Sequence, residues 1–544
     1  MKIMDNPKLF FWLIPLAVVS LYAPFLDNPA LFDDLYMFLD NAATLRSHAA
    51  HFNPLGLREL PYATLGWTFD WFGMQTMIPF RLGNMLLHIA VGLVLFQFLS
   101  LLYREILGAD EYEKLTYGWS AGFAALLFAL HPVSVYAVAY LVQRSILFAT
   151  LFSLLALWSY LQGLIHANAK GWLFASVFCY TAAVFSKEHA IALPMVMLAL
   201  TMLLRAPSRR LWKDLWWVYA LCGLVSVYIV LATKGILGTG YEPYAQGMLE
   251  DARPEYAYPL SMLTQATLFF KYVGLWLLPS PLWMSVDMRE PFAGGFLGWH
   301  FAGLLAYLAT GAAGIFLLFR RGRLGLIGFA ILFPWALFVT EFSTVRIQEI
   351  FVLYRSYLWV PGIFVLLPLA FSTLPITRKL PYAAILLALL LPATVERLHV
   401  FSDKFLLWDD AARLVEGKEN LPGVWRIYYN RGNAFLRVGK YQDALKDYQK
   451  AAELYPKEKN THYAVGLTQK LLGQYEPAMR AFDQAIKIDP YFAKAYHVRG
   501  LIYLMQLHDG KLAQGNFRVG CELGWEASCK KLGEIEKPGT QEGH

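Results

Sequence analysis

An adjacent pair of carboxylates follows the first apolar segment of the chain. Asp33 and Asp34 stand in the stretch LFDDLYMFLDNAA, just beyond an apolar run over residues 9–26. At the start of a predicted amphipathic helix, Asp side chains act as caps, because they accept hydrogen bonds from free backbone N–H groups. A carboxylate in this place can also deprotonate an acceptor hydroxyl or hold a cation against a donor phosphate. The sequence is compatible with both roles.

Basic residues adjoin other apolar segments. Arg144 begins an apolar run directly after Gln143, where a guanidinium can form a bidentate contact with a phosphate or extend to lipid headgroups. Lys187 is a second candidate phosphate ligand, although the neighbouring Glu188 offers it a partner of opposite charge. Four charged residues interrupt the late apolar segments, where Arg355 is a third candidate with carboxylates to orient it: Glu341, Arg346, Glu349 and Arg355.

Other polar residues are expected to support the structure. Arg81, Asn84 and His88 fall on one helical face, and we predict that they form a packing set of hydrogen bonds rather than a ligand set. His131 precedes Pro132 and is interpreted as the end of an apolar segment. No His, Asp or Cys grouping has metal-site spacing, and no phosphate-binding loop or nucleophile elbow occurs, so ATP-driven transport and serine hydrolysis lack support.

The composition indicates a membrane protein. The chain is 57% hydrophobic and 16% charged, and its charged residues are concentrated in the last ~140 positions. The net charge of +7 comes from Lys and Arg in short loops, where such residues orient a membrane protein; we therefore expect no nucleic-acid partner. The four cysteines are too few for a disulfide framework.

Apolar runs predict about eleven membrane spans. We expect the first to be retained, because no small-residue cleavage site follows it. The segment 264–279, with its Lys and nearby prolines, is predicted to be a re-entrant or interfacial helix. The predicted spans cover residues 9–26, 81–103, 118–130, 144–164, 172–185, 190–204, 215–233, 301–319, 324–340, 357–374 and 382–400.

Basic clusters in alternate loops predict the orientation. They include Lys2, Lys8, the Arg320–Arg323 cluster and Lys379, and their side is expected to be cytoplasmic. The long loops 27–80 and 234–300 and the C-terminus then lie on the exported side. We therefore expect the catalytic residues to lie in or beside those long loops.

The C-terminal part contains a repeat of 34 residues. Gly432, Gly466 and Gly500 recur at that interval, in the pattern of tetratricopeptide repeats. A third unit ends in FRVGCELGWEASCKKL and resembles a Sel1-like cap. In that class two cysteines with the spacing of Cys521 and Cys529 can be bridged, and exported sidedness permits the bond; two small buried core residues are the alternative.

Several ordered motifs resemble the GT-C superfamily of glycosyltransferases, in particular bacterial relatives of the transmembrane and tetratricopeptide repeat containing (TMTC) family of protein O-mannosyltransferases. They are FDDLY at 32–36, RLGNMLLH at 81–88, HPVSVYAVAYLVQRSILFA at 131–149, FSKEHA at 185–190 and, less closely, YRSYLWVP at 354–361. The resemblance implies transfer of a sugar from a polyprenyl-phosphate donor to Ser or Thr of an exported protein by one inverting displacement.

The resemblance also implies roles for residues of this chain. Asp33 or Asp34, with Asp34 the first choice, is the acceptor-side base or metal-side carboxylate, while Arg144, Lys187 and Arg355 bind the donor phosphate. Arg81, His88, His131, Gln143, Glu188 and Glu349 support them. No cofactor is firmly implied; a divalent cation, Mg²⁺ or Mn²⁺, has Asp33 and Asp34 as its only candidate ligands. The open alternatives are a glycan or lipid acceptor, a non-catalytic scaffold and a lipid-linked-sugar transporter.

The predicted architecture is an all-α polytopic membrane bundle followed in sequence by a C-terminal α-solenoid. Residues 1–400 form the GT-C-like domain, 401–424 a juxtamembrane linker, 425–533 the repeats with their Sel1-like cap, and 534–544 a flexible tail. A bacterial inner membrane with a cytoplasmic N-terminus and periplasmic repeats is the expected location. The repeats are expected to bind an exported acceptor or partner protein.

Overall fold

The described chain is helical. The structure, a computed structural model, describes residues 6–35, 37–38, 41–166, 169–239 and 254–536. Across these ranges it shows no β-strand, only an isolated antiparallel bridge between Met288 and Phe351. The all-α prediction is confirmed. Lys2, Tyr36 and the predicted tail from residue 537 onward lie outside the described residues.

The chain divides into two compact units, and the second begins at Lys404. In the described part of the first unit, seven helices are long and apolar enough to cross a membrane. Each coincides with a predicted span. These helices are Pro7–Phe25, Ile78–Leu107, Leu141–Ile165, Arg209–Thr233, Trp299–Phe319, Gly322–Ser343 and Ile376–Val400.

The four other predicted spans are helical but shorter, broken or less apolar. Tyr117–Ala129 and Pro132–Val138 meet at a bend of 49°, because Pro132 has no N–H with which to continue the helix; counted as one span, they bring the total to eight among the described residues. Glu188–Leu204 and Val360–Ser372 are apolar but too short to cross alone. The fourth is Ala169–Ser186, and most of the predicted re-entrant segment 264–279 lies in the helix Ala257–Leu277, which ends two residues before the segment does.

Basic loops meet at one end of the bundle. The Lys379 ammonium donates to the Leu115 carbonyl and the Thr116 hydroxyl, both at 2.7 Å. Arg323 pairs with Glu111 at 2.7 Å. These contacts join the predicted cytoplasmic loops, which are far apart in sequence. The segments predicted to face the other side form a separate polar cluster, described below.

The second unit is a series of helical hairpins. Glycine is required where paired helices approach most closely: a Cβ on Gly432 would lie 2.8 Å from the Tyr448 ring, and one on Gly500 would lie 2.8 Å from the Phe517 ring. A disulfide joins Cys521 to Cys529. The helices are Lys404–Val415, Trp425–Arg437, Tyr441–Leu454, Lys459–Leu471, Tyr475–Ile488, Ala493–Met505, Gly510–Glu522 and Glu526–Glu536.

The first of these helices lies inside the predicted linker 401–424. It begins at Lys404 and ends at Val415, and its Phe405 ring packs against Phe435 of the first repeat, with centroids 4.9 Å apart. The helical packing of the second unit therefore begins at Lys404, before the first repeat.

Candidate functional site

Asp34 caps a helix that is distant in sequence. Its side chain is buried, and its two carboxylate oxygens accept the backbone N–H groups of Leu141, at 3.1 Å, and Val142, at 2.9 Å. Burial raises the pKa of Asp34 to about 7, against the lowering effect of the Val142 N–H and the Arg81 guanidinium. The capping role expected for this residue thus serves the start of the span Leu141–Ile165 and not its own helix.

Asp33 is the exposed member of the pair. Its backbone N–H donates to the Tyr140 hydroxyl at 3.3 Å. The preceding Phe32 adopts a left-handed backbone with φ of 55°, and its ring meets Tyr140 edge to face at 5.7 Å. We call residues 31–35 the acidic turn. Asp33 is exposed, whereas Asp34 is buried and both of its oxygens accept backbone N–H groups, so the structure favours Asp33 as the accessible carboxylate.

Lys187 is a buried cation next to this turn's aromatic neighbours. Its side chain is 7% exposed, and the ammonium lies 5.8 Å from the centre of the Tyr354 ring. Tyr354 in turn packs against Tyr140, with centroids 5.9 Å apart. Asp33, Tyr140, Tyr354 and Lys187 therefore form a continuous row from an exposed carboxylate to a buried ammonium.

The Lys187 ammonium has no hydrogen-bond or ion-pair partner within the described ranges. The neighbouring Glu188 turns instead to Arg58, whose Nε donates to it at 3.0 Å. Burial, followed by the nearby Arg58 charge, lowers the pKa of Lys187 to about 7. A desolvated cation without a counterion is a place where a bound anion is strongly favoured.

The late charged residues form a buried network behind Lys187. Arg355 contacts Glu349 at 3.0 Å and Glu341 at 3.4 Å, and Arg346 contacts Glu341 at 3.7 Å. His189 bridges Glu341 and Glu188 at 3.5 Å each. The expected carboxylates do orient Arg355. The same pairs compensate much of its charge, which leaves Lys187 as the stronger candidate for the phosphate.

Arg144 lies inside the bundle. Its guanidinium donates to the Asn84 side chain at 2.8 Å, to the Phe80 carbonyl at 2.7 Å and to the Thr64 hydroxyl at 3.3 Å. These partners belong to two other helices, so the side chain joins three helices. All three nitrogens are used within the protein, and this geometry does not support the expected phosphate contact.

Arg81 and His88 also have internal partners. Arg81 donates to the carbonyls of Asn28, at 3.0 Å, and Pro29, at 2.6 Å. His88 lies between the Tyr357 hydroxyl, at 2.6 Å, and the Ala129 carbonyl, at 2.8 Å. Together with Asn84, they make the hydrogen bonds of a packing set.

His131 and Gln143 flank the segment that carries Tyr140. His131 Nε2 donates to the Trp276 carbonyl at 3.0 Å, and the two rings stack at 4.3 Å. Gln143 is buried, and its side-chain oxygen has no hydrogen-bond partner in the described structure. His131 also accepts the Val133 N–H at 3.3 Å, and the backbone N–H of Gln143 donates to the Tyr140 carbonyl at 3.1 Å.

The residues present do not fit a metal ion held by the protein alone. No group of three His, Cys, Asp or Glu side chains with metal-binding geometry occurs among the described residues. The Asp34 oxygens are engaged by backbone N–H groups, which leaves Asp33 as the accessible carboxylate of the pair. We therefore derive no step through a metal.

An apolar groove opens beside His131 and Trp276. It has a volume of about 710 Å³ and is lined mainly by leucine and aromatic side chains from the bent helix pair, the end of Ala257–Leu277 and the helix Ile376–Val400. Its wall includes the exposed side chains of Leu278 and Leu389. The Trp276 indole N–H donates to the Ser356 hydroxyl at 2.9 Å, beside Arg355. The groove thus adjoins the polar cluster. This cluster consists of the row from Asp33 to Lys187 and of the charged residues around Lys187, namely Arg58, Glu188, His189, Glu341, Arg346, Glu349 and Arg355.

Four residues of the cluster were not predicted from the sequence: Tyr140, Tyr354, Arg58 and His189. Tyr140 and Tyr354 stand within the quoted motifs, but aromatic residues are so frequent in this chain that nothing singled them out. Arg58 lies in the first long loop, and its pairing with Glu188 spans 130 positions. The one feature of the sequence that could have pointed to Arg58 is its position in a loop predicted to lie on the exported side.

Comparisons with known proteins identify the second unit. Two models for the tetratricopeptide repeat match residues 425–458 and 460–492. The C-terminal unit carries tetratricopeptide repeats. This confirms the interpretation of the 34-residue period, and repeats of this kind generally mediate protein interactions.

Similarity to whole proteins is distant and local. A segment of 121 residues is 31% identical to human Protein O-mannosyl-transferase TMTC4, covering 21% of this chain and 16% of that protein. A segment of 80 residues is 32% identical to human Tetratricopeptide repeat protein 16, covering 13% of this chain and 9% of that protein. The chain therefore aligns with less than a fifth of either relative. The crystal structure of MamA aligns with 29% of this chain and 78% of that chain at 21% identity. The TM-score of 0.20 is too low for a structural comparison.

Proposed function

We propose that this protein is a membrane glycosyltransferase of the GT-C type, which moves a sugar from a polyprenyl-phosphate donor to a hydroxyl of an exported protein. The row from Asp33 through Tyr140 and Tyr354 to Lys187 carries the proposal. It offers an exposed carboxylate at one end and, at the other, a buried cation without an ion-pair partner among the described residues. The distant similarity to a protein O-mannosyl-transferase supports the same reaction class.

The proposed reaction is one displacement at the anomeric carbon. Asp33 accepts the proton of the acceptor hydroxyl as that oxygen bonds to the anomeric carbon. The bond between the anomeric carbon and the phosphate oxygen breaks, and its electron pair remains on the phosphate. Lys187, with Arg355 behind it, stabilises the negative charge of the departing polyprenyl phosphate.

The apolar groove supports a lipid-linked donor. Its side chains match the hydrocarbon of a prenyl chain, and the contact between Trp276 and Ser356 brings its wall next to the residues proposed to hold the phosphate. We place the polar cluster and the repeats on the periplasmic side of a bacterial inner membrane, in line with the distribution of basic loops. There the repeats would raise the local concentration of acceptor protein.

Replacing the exposed aspartate tests the proposal. Asp33→Asn at wild-type expression should reduce sugar transfer to exported proteins by about 100-fold or more, because the acceptor loses its base. Asp27→Asn, which alters another exposed acid of the same loop, is the matched control and should retain transfer. Full transfer by Asp33→Asn would exclude the catalytic assignment and favour a scaffold.

Recruitment by the repeats has its own test. A chain that ends after Val424 should glycosylate a short hydroxyl-bearing peptide as the full chain does but lose transfer to native exported proteins. Unchanged acceptor choice and affinity would show that the repeats do not recruit the acceptor.

A further inference from the structure

Charge is divided unevenly between the helices of the repeats. We call Trp425–Arg437, Lys459–Leu471 and Ala493–Met505 the first helices, and their hairpin partners Tyr441–Leu454, Tyr475–Ile488 and Gly510–Glu522 the second helices. The second helices contain both acidic and basic residues. The first helices contain no Asp or Glu, and their basic residues are Arg426, Arg431, Arg437, Lys459, Lys470, Lys494 and Arg499.

Part of this positive charge is neutralised within the unit. Arg431 pairs with Asp447 at 2.7 Å, Arg499 pairs with Asp483, and Lys459 pairs with Asp489. These contacts hold the hairpins together. Within the described residues, the remaining cations form no ion pair, and they are Arg426, Arg437, Lys470 and Lys494.

Three of the four unpaired cations share a repeat position or a helix face, and the fourth, Lys470, lies beside the next helix. Arg426 and Arg437 are about three turns apart, so they lie on one side of their helix. Lys494 occupies the position of Arg426 two repeats later. Lys470 lies near His497, which belongs to the helix Ala493–Met505. Burial lowers the pKa of His497, and the nearby charges of Lys470 and Lys531 lower it further. The cations therefore extend over three successive first helices.

Two donor atoms in or beside these cations are buried rather than exposed to a ligand. Arg426 Nη1 is buried and has no hydrogen-bond partner among the described residues, and neither has the indole N–H of Trp525. Lys494 lies 5.3 Å from the centre of the Trp525 ring. Guanidinium and ammonium groups on helices that contain no Asp or Glu match a ligand made of anionic acceptors.

We propose that Arg426, Arg437, Lys470 and Lys494 form a binding surface for an acidic, extended peptide segment of a partner protein. Stacked repeats present an elongated surface, over which the carboxylates of one extended chain can meet successive cations. The proposal rests on the repeats alone and does not depend on glycosyl transfer.

Fluorescence anisotropy with the full-length protein in neutral phosphatidylcholine nanodiscs tests the surface. The probe is a fluorescein-labelled peptide of repeated Glu-Phe-Asp-Ser, compared with its Gln-Phe-Asn-Ser counterpart. Wild-type protein should bind the acidic peptide about tenfold more tightly, and added salt should weaken that binding. Equal affinity for both peptides would overturn the proposal.

A matched pair of variants separates the surface from bulk charge. Arg426→Gln, Arg437→Gln, Lys470→Gln and Lys494→Gln together should weaken binding about tenfold or more. The control combines Lys446→Gln, Lys487→Gln, Lys511→Gln and Lys530→Gln, which are exposed positions outside the first helices, and it should change affinity less than about threefold. Equal losses in the two variants would contradict a defined site.

Two further measurements complete the test. The pair Lys470→Glu and Lys494→Glu, checked for helicity by circular dichroism, should weaken binding of the acidic peptide and gain binding of a Lys-Phe-Arg-Ser repeat; failure to switch would count against the surface. Flotation with phosphatidylglycerol vesicles that depends on these cations, without peptide binding, would assign the surface to lipid instead. Asp33→Asn should leave peptide affinity unchanged, which separates this proposal from the proposed enzyme activity.

Discussion

Lys187 differs from the other basic residues of the polar cluster in having no acidic partner among the described residues. Arg58 and Arg355 are held by Glu188 and by Glu341 with Glu349, so their charges are matched inside the protein. The buried ammonium of Lys187 lies 5.8 Å from the centre of the Tyr354 ring. A group in this state responds strongly to pH and to bound anions.

Donor binding should therefore depend on pH. The pKa of Lys187 is lowered to about 7, so the side chain is charged below that pH and neutral above it. We expect kcat/KM for the lipid-linked donor to fall as the pH rises through about 7. In Lys187→Arg this fall should disappear, because a guanidinium stays protonated. Identical profiles for the two proteins would remove Lys187 from the donor site.

The two aspartates should separate in their effects on stability. Asp34→Asn replaces one accepting oxygen of the cap by an amide NH₂, so we expect a loss of about 1–2 kcal/mol in the free energy of unfolding. Asp33→Asn changes an exposed side chain and should cost under about 0.5 kcal/mol. Thermal unfolding in detergent measures both. Equal shifts would mean that the burial difference has no energetic consequence.

Individual helices were predictable where apolar length alone decides the outcome. The seven long apolar helices coincide with predicted spans, because an uninterrupted apolar run has no other stable environment. The break at Pro132 was also predictable, because proline cannot continue the helix. The short helix after Lys187 was harder, since its charged residues have partners in distant segments. Arg144 shows the same limit: Thr64 and Asn84 surround it through tertiary contacts that its own neighbours in sequence do not reveal.

Removal of Arg144 should test its role as a link between helices. Arg144→Ala leaves Asn84 Oδ1 and the Phe80 carbonyl without their donor, and we expect the free energy of unfolding to fall by about 3 kcal/mol. The KM for the donor in the remaining folded protein should be unchanged. A large rise in KM with unaltered thermal unfolding would restore Arg144 to the phosphate site.

A second substitution reaches the same link from the opposite helix. A Cβ on Gly83 would lie 2.8 Å from Arg144 Nη2, so Gly83→Ala should displace the guanidinium and lower stability in the same direction. Adding Gly83→Ala to Arg144→Ala should then have little further effect, because the group it displaces is already gone. Additive losses in a double-mutant cycle would argue against this contact.

The loops of the membrane unit form two separate sets of polar contacts, one among the basic loops and one among the loops predicted on the other side. Contacts such as Lys379 with Thr116 join the basic loops, whereas Asp34 with Leu141 and Arg58 with Glu188 join the first long loop to short connections predicted on the same side. The sequence predicted this grouping, because alternate loops of a polytopic chain must lie on the same side. The order and pairing of side chains within the polar cluster could not be read from the sequence, since they depend on how the helices pack.

The side on which the repeats lie can be tested through the tail cysteines. Disulfides persist in the periplasm and are rare in the cytosol. In a background with Cys179→Ser and Cys222→Ser, Cys521 and Cys529 should react with a maleimide reagent in intact cells only after reduction. Labelling without reduction, restricted to permeabilised cells, would place the repeats in the cytosol and contradict the orientation proposed here.

The left-handed residue of the acidic turn has a consequence for how the site meets its substrate. Phe32 is not a glycine, so its positive φ carries an energetic cost, and its edge contact with Tyr140 helps to hold that conformation. The chain thereby spends folding energy, in advance, on the direction in which Asp33 points. In the proposed reaction, the acceptor hydroxyl would then meet a base whose backbone direction is already fixed, and less entropy would be lost on the way to the transition state.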